Sequence, residues 1–320
     1  MRIDLDRDEK NRILSIVGLW RKDQISFQRF REIQAASGVP ARLVETVFWL
    51  EDTLDVLQGD EHLFLKGGTA VQCFIPSSEQ RASVDLDMNS DVSNPTALKD
   101  HILKKNKKLA STGRTCHVRD IEFGGLHFDF YDDHTGTMSF RRRMPSRFGE
   151  FEIVEGKRIM SKSIRVQINI KNHWMPAMES VLKSPDFFIN DHEKPGTEIQ
   201  IRMESPADLF ADKILATCNV GGFGRERFKD IYDLLVMRDS ILRDNEEKVV
   251  RKLELVIKKN NLELSSVLKG SARTVSSFSN RLEEVKGFAS MVCNGGKERL
   301  KDWESECESL ADKIISLRKS

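Results

Sequence analysis

The chain has 320 residues, 39% of them apolar and 32% charged, with a formal net charge of +1. Such a length predicts one large or two modest domains, and the near-neutral balance excludes the global basic field of nonspecific nucleic-acid binders. The charged segment Met1 to Asp8 lacks the apolar core of a signal peptide, no apolar run reaches membrane-spanning length, and mean hydropathy is −0.43. These features predict a soluble cytoplasmic protein with no membrane partner. The five cysteines are scattered and odd in number, without Cys-x-x-Cys spacing. They read as reduced, small apolar residues rather than a disulfide framework or a zinc site.

Taken in chain order, residues 1 to about 60 read as helical. Ile13, Ile16, Val17 and Trp20 recur at helical spacing, Ser37-Gly38-Val39-Pro40 breaks the chain, and Leu43, Val47, Leu50, Leu54 and Leu57 stripe the next helix. The break reads as a scaffold turn rather than a DNA-binding helix-turn-helix. From about 61 to 200 the texture is strand-like. Leu63-Phe64-Leu65 is a short buried strand, and Ser83 to Met88 alternates with Val84, Leu86 and Met88 opposite two acids. His117 to Phe123, Leu126 to Tyr131, Glu150 to Val154 and Ile164 to Ile170 alternate as well, and Gly124-Gly125 suits a hairpin turn. Leu98 to Leu109 reads as a helix packed between them. Ser205-Pro206-Ala207-Asp208 is a strong helix start, with a serine cap, a proline in the first turn and an acid behind it. That helix is expected to end at Gly221-Gly222. A second begins near Arg225, and residues 240 to 320 continue as Lys/Glu-rich helices. The expectation is an α+β fold: a helical segment over 1–60, a mixed sheet with flanking helices over 61–200, and a helical C-terminal domain over 201–320.

Two devices for phosphate chemistry lie close together in the chain. Gly67-Gly68-Thr69 follows an apolar run and opens a helix-like segment. Glycines let a backbone approach an anion, and N–H groups at a helix start attract phosphate. Asp85 and Asp87 flank Leu86, so on a strand both carboxylates project to one side. Paired carboxylates repel each other, a cost accepted for a metal, and Mg²⁺ is commonly shared between carboxylates and substrate phosphates. Either device alone is common. Their ordered combination, with Lys66 before the glycines and Arg81 and Ser83 before the first acid, points to nucleotidyl transfer.

Further along, Lys213 borders an apolar helix face with Leu209 and Phe210. It has either snorkelled to the rim or been placed over a site. On the following helix Arg227, Asp230, Ile231 and Leu234 share a face, as a structural bridge or as functional groups. Asp233 lies about a quarter-turn away and reads as the more solvent-accessible acid. The histidines show no paired spacing for a transition metal, and Gly221-Gly222-Phe223-Gly224 is not a Walker A loop. Lys104 to Lys108 reads as a solvated face. Arg141, Arg142, Arg143 and Arg147, flanked by Phe140 and Phe148, could grip an RNA backbone and stack on a base.

Lys66-Gly67-Gly68-Thr69 followed by Arg81-x-Ser83-x-Asp85-x-Asp87 resembles the first motif of the AbiEii/AbiGii-type nucleotidyltransferase toxins, within the DNA polymerase β-like superfamily. Further matches are Ala211-Asp212-Lys213 and Arg227-x-x-Asp230-x-x-Asp233-Leu234. The likeness runs from roughly Leu63 to Leu235. It implies a polymerase β-type core and a toxin of a toxin-antitoxin or phage-defence pair, with a nucleoside triphosphate as donor and RNA, tRNA foremost, as acceptor. It also implies a cognate antitoxin. Asp85 and Asp87 would hold Mg²⁺, with Mn²⁺ as an alternative, and Asp230 would orient Lys213 or the attacking hydroxyl. Lys66, Gly67, Gly68, Thr69, Arg81, Ser83 and Arg227 would contact the triphosphate, with Ser83 and Lys213 neutralising charge as pyrophosphate leaves. Many members of the superfamily add a third carboxylate on a later strand, where this chain offers Gln167 and Asn169. Asp129 is the alternative from a neighbouring strand. The rival readings are transfer to a small molecule or protein, and a non-catalytic nucleotide-binding homologue.

Overall fold

The structure is a computed structural model that describes residues 2–3, 27–118, 121–146, 148, 152–154, 157–159, 161–170, 179–190, 199–218 and 228–319. In chain order the elements are β1 (Arg2–Ile3), α1 (Phe27–Ser37), α2 (Ala41–Leu57), β2 (Leu63–Lys66), α3 (Gly67–Gln72), β3 (Asp85–Ser90) and α4 (Pro95–Ser111). Then come β4 (Cys116–Val118), β5 (Ile121–Phe123), β6 (Leu126–Asp132), β7 (Thr137–Pro145), β8 (Glu152–Val154), β9 (Lys157–Ile159), β10 (Ser161–Asn169), β11 (Ser180–Lys183) and β12 (Ile201–Glu204). Helices follow: α5 (Pro206–Thr217), α6 (Phe228–Ser240), α7 (Glu246–Lys259), α8 (Leu264–Phe278), α9 (Leu282–Ala289), α10 (Asn294–Lys301) and α11 (Trp303–Ser316). Two compact units alternate along the sequence. The first is Met1–Leu63, Ala82–Lys171 and Ile189–Ile201; the second is Phe64–Arg81, Asn172–Phe188 and Arg202–Ser320.

In the first unit, four strands run in the order β3-β10-β7-β6. β3 and β10 are parallel, while β10-β7 and β7-β6 are antiparallel, so the sheet is mixed as expected. Leu86, Met88, Met138, Phe140, Val166 and Ile168 are all buried. They occupy alternate positions, and register puts them on a single face. Helix α2 covers that face: Trp49 Nε1 donates to the Pro145 carbonyl at 3.1 Å, and Arg142 is ion-paired with Asp52. Helix α4 joins it, capped by the Asn94 side chain, which accepts from Ala97 N, and Lys99 lies 4.2 Å from the Phe128 ring centroid. The break at Ser37 to Pro40 is the expected scaffold turn between α1 and α2.

Three local expectations change. Arg2–Ile3 form a strand parallel to β9 rather than helix, and the predicted stripe at Ile13, Ile16, Val17 and Trp20 falls outside the described residues. Gly124-Gly125 is a link rather than a hairpin turn: Gly124 N donates to Arg143 O at 2.9 Å, and β5 pairs with β4 instead. The hairpin partner of β6 is β7, a nine-residue strand whose arginine run masks its alternation.

In the second unit, β12 runs parallel to β2 with Met203 opposite Leu65, and β11 flanks β12. Helix α5 begins as the sequence predicts: Ser205 Oγ accepts from Asp208 N at 3.2 Å, with Pro206 in the first turn. It ends at Thr217, and the Gly221-Gly222 stop lies outside the described residues. Phe210, Ile214, Ile231, Leu234, Leu253, Val256, Val267 and Leu310 form the helical core. Trp303 anchors it, stacking on Phe228 with centroids 4.4 Å apart and donating Nε1 to Phe278 O at 2.9 Å. No described helix is long and apolar enough to cross a membrane. Four of the five cysteines are buried, and burial pushes the Cys293 and Cys307 thiols up to about 12, which leaves them unreactive.

Candidate active site

In the first unit, β3 presents Asp85 and Asp87 on the face opposite buried Leu86 and Met88, both acids half-buried. Parallel register sets Arg165 beside Asp85, Gln167 beside Asp87 and Asn169 beside Asn89. The expected third acid is thus replaced by an amide. Asp129 does not substitute for it: it lies on β6, two strands beyond β10, and is paired with Arg141 at 3.0 Å. Among the described residues no group of three or more His, Cys, Asp or Glu is assembled for a metal. Two carboxylates at alternate strand positions still match what Mg²⁺ needs when phosphates complete its shell. Ser83, just before β3, is buried.

The arginine cluster does not form the exposed grip that the sequence suggested. Arg142 is wholly buried, ion-paired with Asp52 and donating Nε to Gly124 O at 2.7 Å. Arg143 is buried against Glu152. Alternation turns Arg142 inward from its neighbour, and α2 supplies the charge that makes its burial tolerable. Of the three described arginines only Arg141 faces solvent; Arg147 lies outside the described residues.

In the second unit, β2 delivers the chain into a left-handed turn at Gly67, φ 68°, a conformation that favours glycine. Gly68 is constrained differently: a Cβ there would lie 2.3 Å from Arg81 Nη2. The glycine pair therefore lets the turn form and lets a guanidinium press against it. Thr69 is 1% exposed, so its hydroxyl does not face solvent.

Arg81 is itself buried and grips Asp233 with both ends of its fork, Nε to Oδ1 at 2.8 Å and Nη2 to Oδ2 at 2.7 Å. It supports the turn from beneath rather than reaching outward to phosphate. Lys213 Nζ lies 2.5 Å from Asp230 Oδ1 and 2.8 Å from Asp233 Oδ2. Burial works to lower the Lys213 pKa, but the charges of Asp233 and Asp230 outweigh it and hold the ammonium above its ordinary value. Burial would likewise raise Asp233, and Arg81 and Lys213 hold it below the ordinary carboxylate range. Asp233 is thus the most buried member, not the solvent-accessible acid its helical position suggested. Asp230 Oδ2 is buried with no hydrogen-bond partner among the described residues. Arg227 lies outside the described residues.

A second ionic group joins Asp208 and Asp212 to Glu204 and Lys252, a cluster the sequence does not assemble. Glu204, fully buried at the end of β12, follows Met203, the partner of Leu65, as Lys66 follows Leu65. Asp208 and Asp212 are four apart on α5, and Lys252 of α7 lies 2.7 Å from Asp208 Oδ1. Burial, then the charge of Asp212, pushes Glu204 well above the usual range against the pull of Lys66. Burial also raises Asp212 to about 6, with Lys66 and Lys252 opposing. The i, i+4 acids on an apolar helix were the available signal.

A raised carboxyl stabilises the fold in its protonated form, so this contribution is present below pH 4 and is lost as pH rises through about 6. Asp212→Asn should therefore raise the melting temperature at pH 8, by a free energy of about 1–2 kcal/mol once partial exposure discounts the two-unit shift. The advantage should close towards pH 4. Melts across that range check it, and an Asn variant less stable than wild type at pH 8 would overturn the assignment.

The carboxylate pair of the first unit, and the glycine turn and buried lysine of the second, are the groups that the sequence put forward for nucleotidyl transfer. Residues 50–292 match the family described as "Nucleotidyl transferase AbiEii toxin, Type IV TA system", and the chain belongs to that family. Among solved structures it is similar to a protein from H. pylori assigned as a nucleotidyltransferase, at 15% identity and a TM-score of 0.41, covering 92% of this chain and 98% of that one. It is also similar to an antigenic nucleotidyltransferase-like protein from Paracoccidioides brasiliensis, at 15% identity and a TM-score of 0.37, covering 72% and 94%. No curated protein sequence matches it significantly.

Proposed function

We propose that this nucleotidyltransferase is Mg²⁺-dependent and transfers nucleotides from a nucleoside triphosphate to RNA, with tRNA as the favoured acceptor. It would act as the cytoplasmic toxin of a toxin-antitoxin or phage-defence pair, restrained by a cognate antitoxin. The observation that carries this reading is the pair Asp85 and Asp87, aligned on the open face of β3. When bound there, the metal supplies charge neutralisation to the triphosphate. Backbone N–H groups at Gly67 and Gly68 would bind phosphate oxygens, with Lys66 adding a contact, and Ser83 would add one beside the acids. Thr69 joins through its amide. Arg81 fixes the turn through Gly68. Lys213 counters charge that develops on the departing pyrophosphate. Asp230 orients Lys213, to which it is ion-paired at 2.5 Å. Positioning and charge neutralisation dominate phosphoryl chemistry, so no covalent protein intermediate is required.

The test is incubation of the purified protein with each α-labelled nucleoside triphosphate and total RNA. Label should enter tRNA-sized RNA and stop entering when a chelator removes the metal. Label that enters a protein or small molecule while RNA stays dark would overturn the RNA reading.

A further inference from the structure

The open face of the first unit's sheet carries an ordered set of side chains that the proposed reaction does not yet use. Register defines two rows across it. Asp85, Arg165, Arg141 and His127 form one row; Asp87, Gln167, Ser139 and Phe130 form the next. Arg165 is exposed and makes no hydrogen bond or ion pair among the described residues. Arg141, its neighbour on β7, is exposed and paired with Asp129.

Phe130 reaches this face because β6 is irregular. Phe128 pairs with Phe140, yet Phe130 pairs with Ser139, one residue out of step. Without that bulge, Phe128 and Phe130 would share the helix-covered face, where Phe128 packs edge-on to Phe140 at 5.7 Å. The bulge turns Phe130 over to the open side, where it is 51% exposed. Bulges next to active sites commonly re-aim a side chain in this way. An exposed aromatic ring, two arginines and a carboxylate pair on one sheet match the chemistry of a single-stranded nucleic acid: stacking for a base, cations for the backbone.

We propose that this face is the bed for a single-stranded RNA end, with Arg165 holding a backbone phosphate beside Asp85 and Phe130 stacking a base at the sheet edge. The two side chains stand two strands apart, about 10 Å across the sheet and about 7 Å along it. Phe130 lies in the row of Asp87 and Arg165 in the row of Asp85, so an RNA end seated on both runs towards the acids. Neither side chain contacts the triphosphate; both are positioning residues for the acceptor. The inference rests on the reading of Asp85 and Asp87 as the transfer centre and adds the acceptor's seat and its single-stranded character.

The test uses the full chain, with a fluorescent RNA hairpin ending in a short single-stranded 3′ overhang and the same hairpin made blunt. Wild type should prefer the overhang. Arg165→Gln should weaken its binding several-fold and lower the salt slope by about 0.7, the counterion release of one single-strand phosphate. Phe130→Ala should weaken binding about tenfold, as loss of one base stack does, with the salt slope unchanged. Both variants should raise KM for RNA and leave KM for the triphosphate alone, which a merely structural role would not do. Lys107→Ala with Lys108→Ala, on the exposed side of α4, should change neither. If wild type labels RNA and both variants bind and label it with unchanged KM and salt slope, the bed lies elsewhere while the transfer reading stands. Wild type that neither binds RNA nor labels it overturns both.

Discussion

Asp85→Asn should lower nucleotide transfer by a factor of about 10²–10³, the loss that accompanies removal of one preorganised electrostatic group, while the protein stays folded. The substitution keeps side-chain volume and replaces a charged oxygen by a neutral carbonyl or an N–H₂ donor. Mg²⁺ held by two carboxylates and substrate phosphates depends on both charges. The neighbours in register, Arg165 and Gln167, cannot supply a negative oxygen in its place. Transfer of labelled triphosphate to RNA measures the loss, and a melting curve close to wild type shows that it is not unfolding. In cells, expression of wild type should slow growth and Asp85→Asn should relieve it. Near-normal transfer by the variant would remove Asp85 from the reaction. Equal growth with both proteins would remove the toxin reading.

How much of this was legible in the sequence depends on how local each signal is. Gly67-Gly68-Thr69, Asp85-Leu86-Asp87 and the start at Ser205 are encoded within a few residues, and each appears where spacing and capping chemistry put it. Strand β7 was hidden because Arg141-Arg142-Arg143 reads as surface charge. The middle arginine goes inside only because Asp52, 90 residues earlier, waits there. Asp233 was misjudged for the same reason, since its burial is stabilised by Arg81, 152 residues away in the chain. The seat of Phe130 depends on a one-residue slip in pairing, which alternation in the sequence cannot reveal. Pairings across long separations are what the sequence leaves open, and in this protein the buried charges depend on them.

Asp233→Ala should destabilise the protein by about 3–5 kcal/mol, the usual consequence of breaking a buried ion pair from one side. Arg81 is 3% exposed and Lys213 6%. Removing their shared carboxylate leaves a buried guanidinium without its bidentate partner, and an ammonium with Asp230 alone. Asp233 is held below the ordinary carboxylate range, so its contribution is present above about pH 4 and is lost as pH falls through its folded value. The gap between wild type and Asp233→Asn, measured by urea denaturation, should therefore be widest near neutral pH and shrink in acid. Because Arg81 presses on Gly68, a variant that still folds in the cold should show a raised KM for the triphosphate, as the glycine turn loses its support. Replacing both partners, Arg81→Met with Asp233→Leu, should recover part of the stability, since no uncompensated charge is then buried between them. It should not recover triphosphate affinity. A loss below about 1 kcal/mol for Asp233→Ala, the range of a surface salt bridge, would show that the Arg81–Asp233–Lys213 cluster does not hold the turn in place.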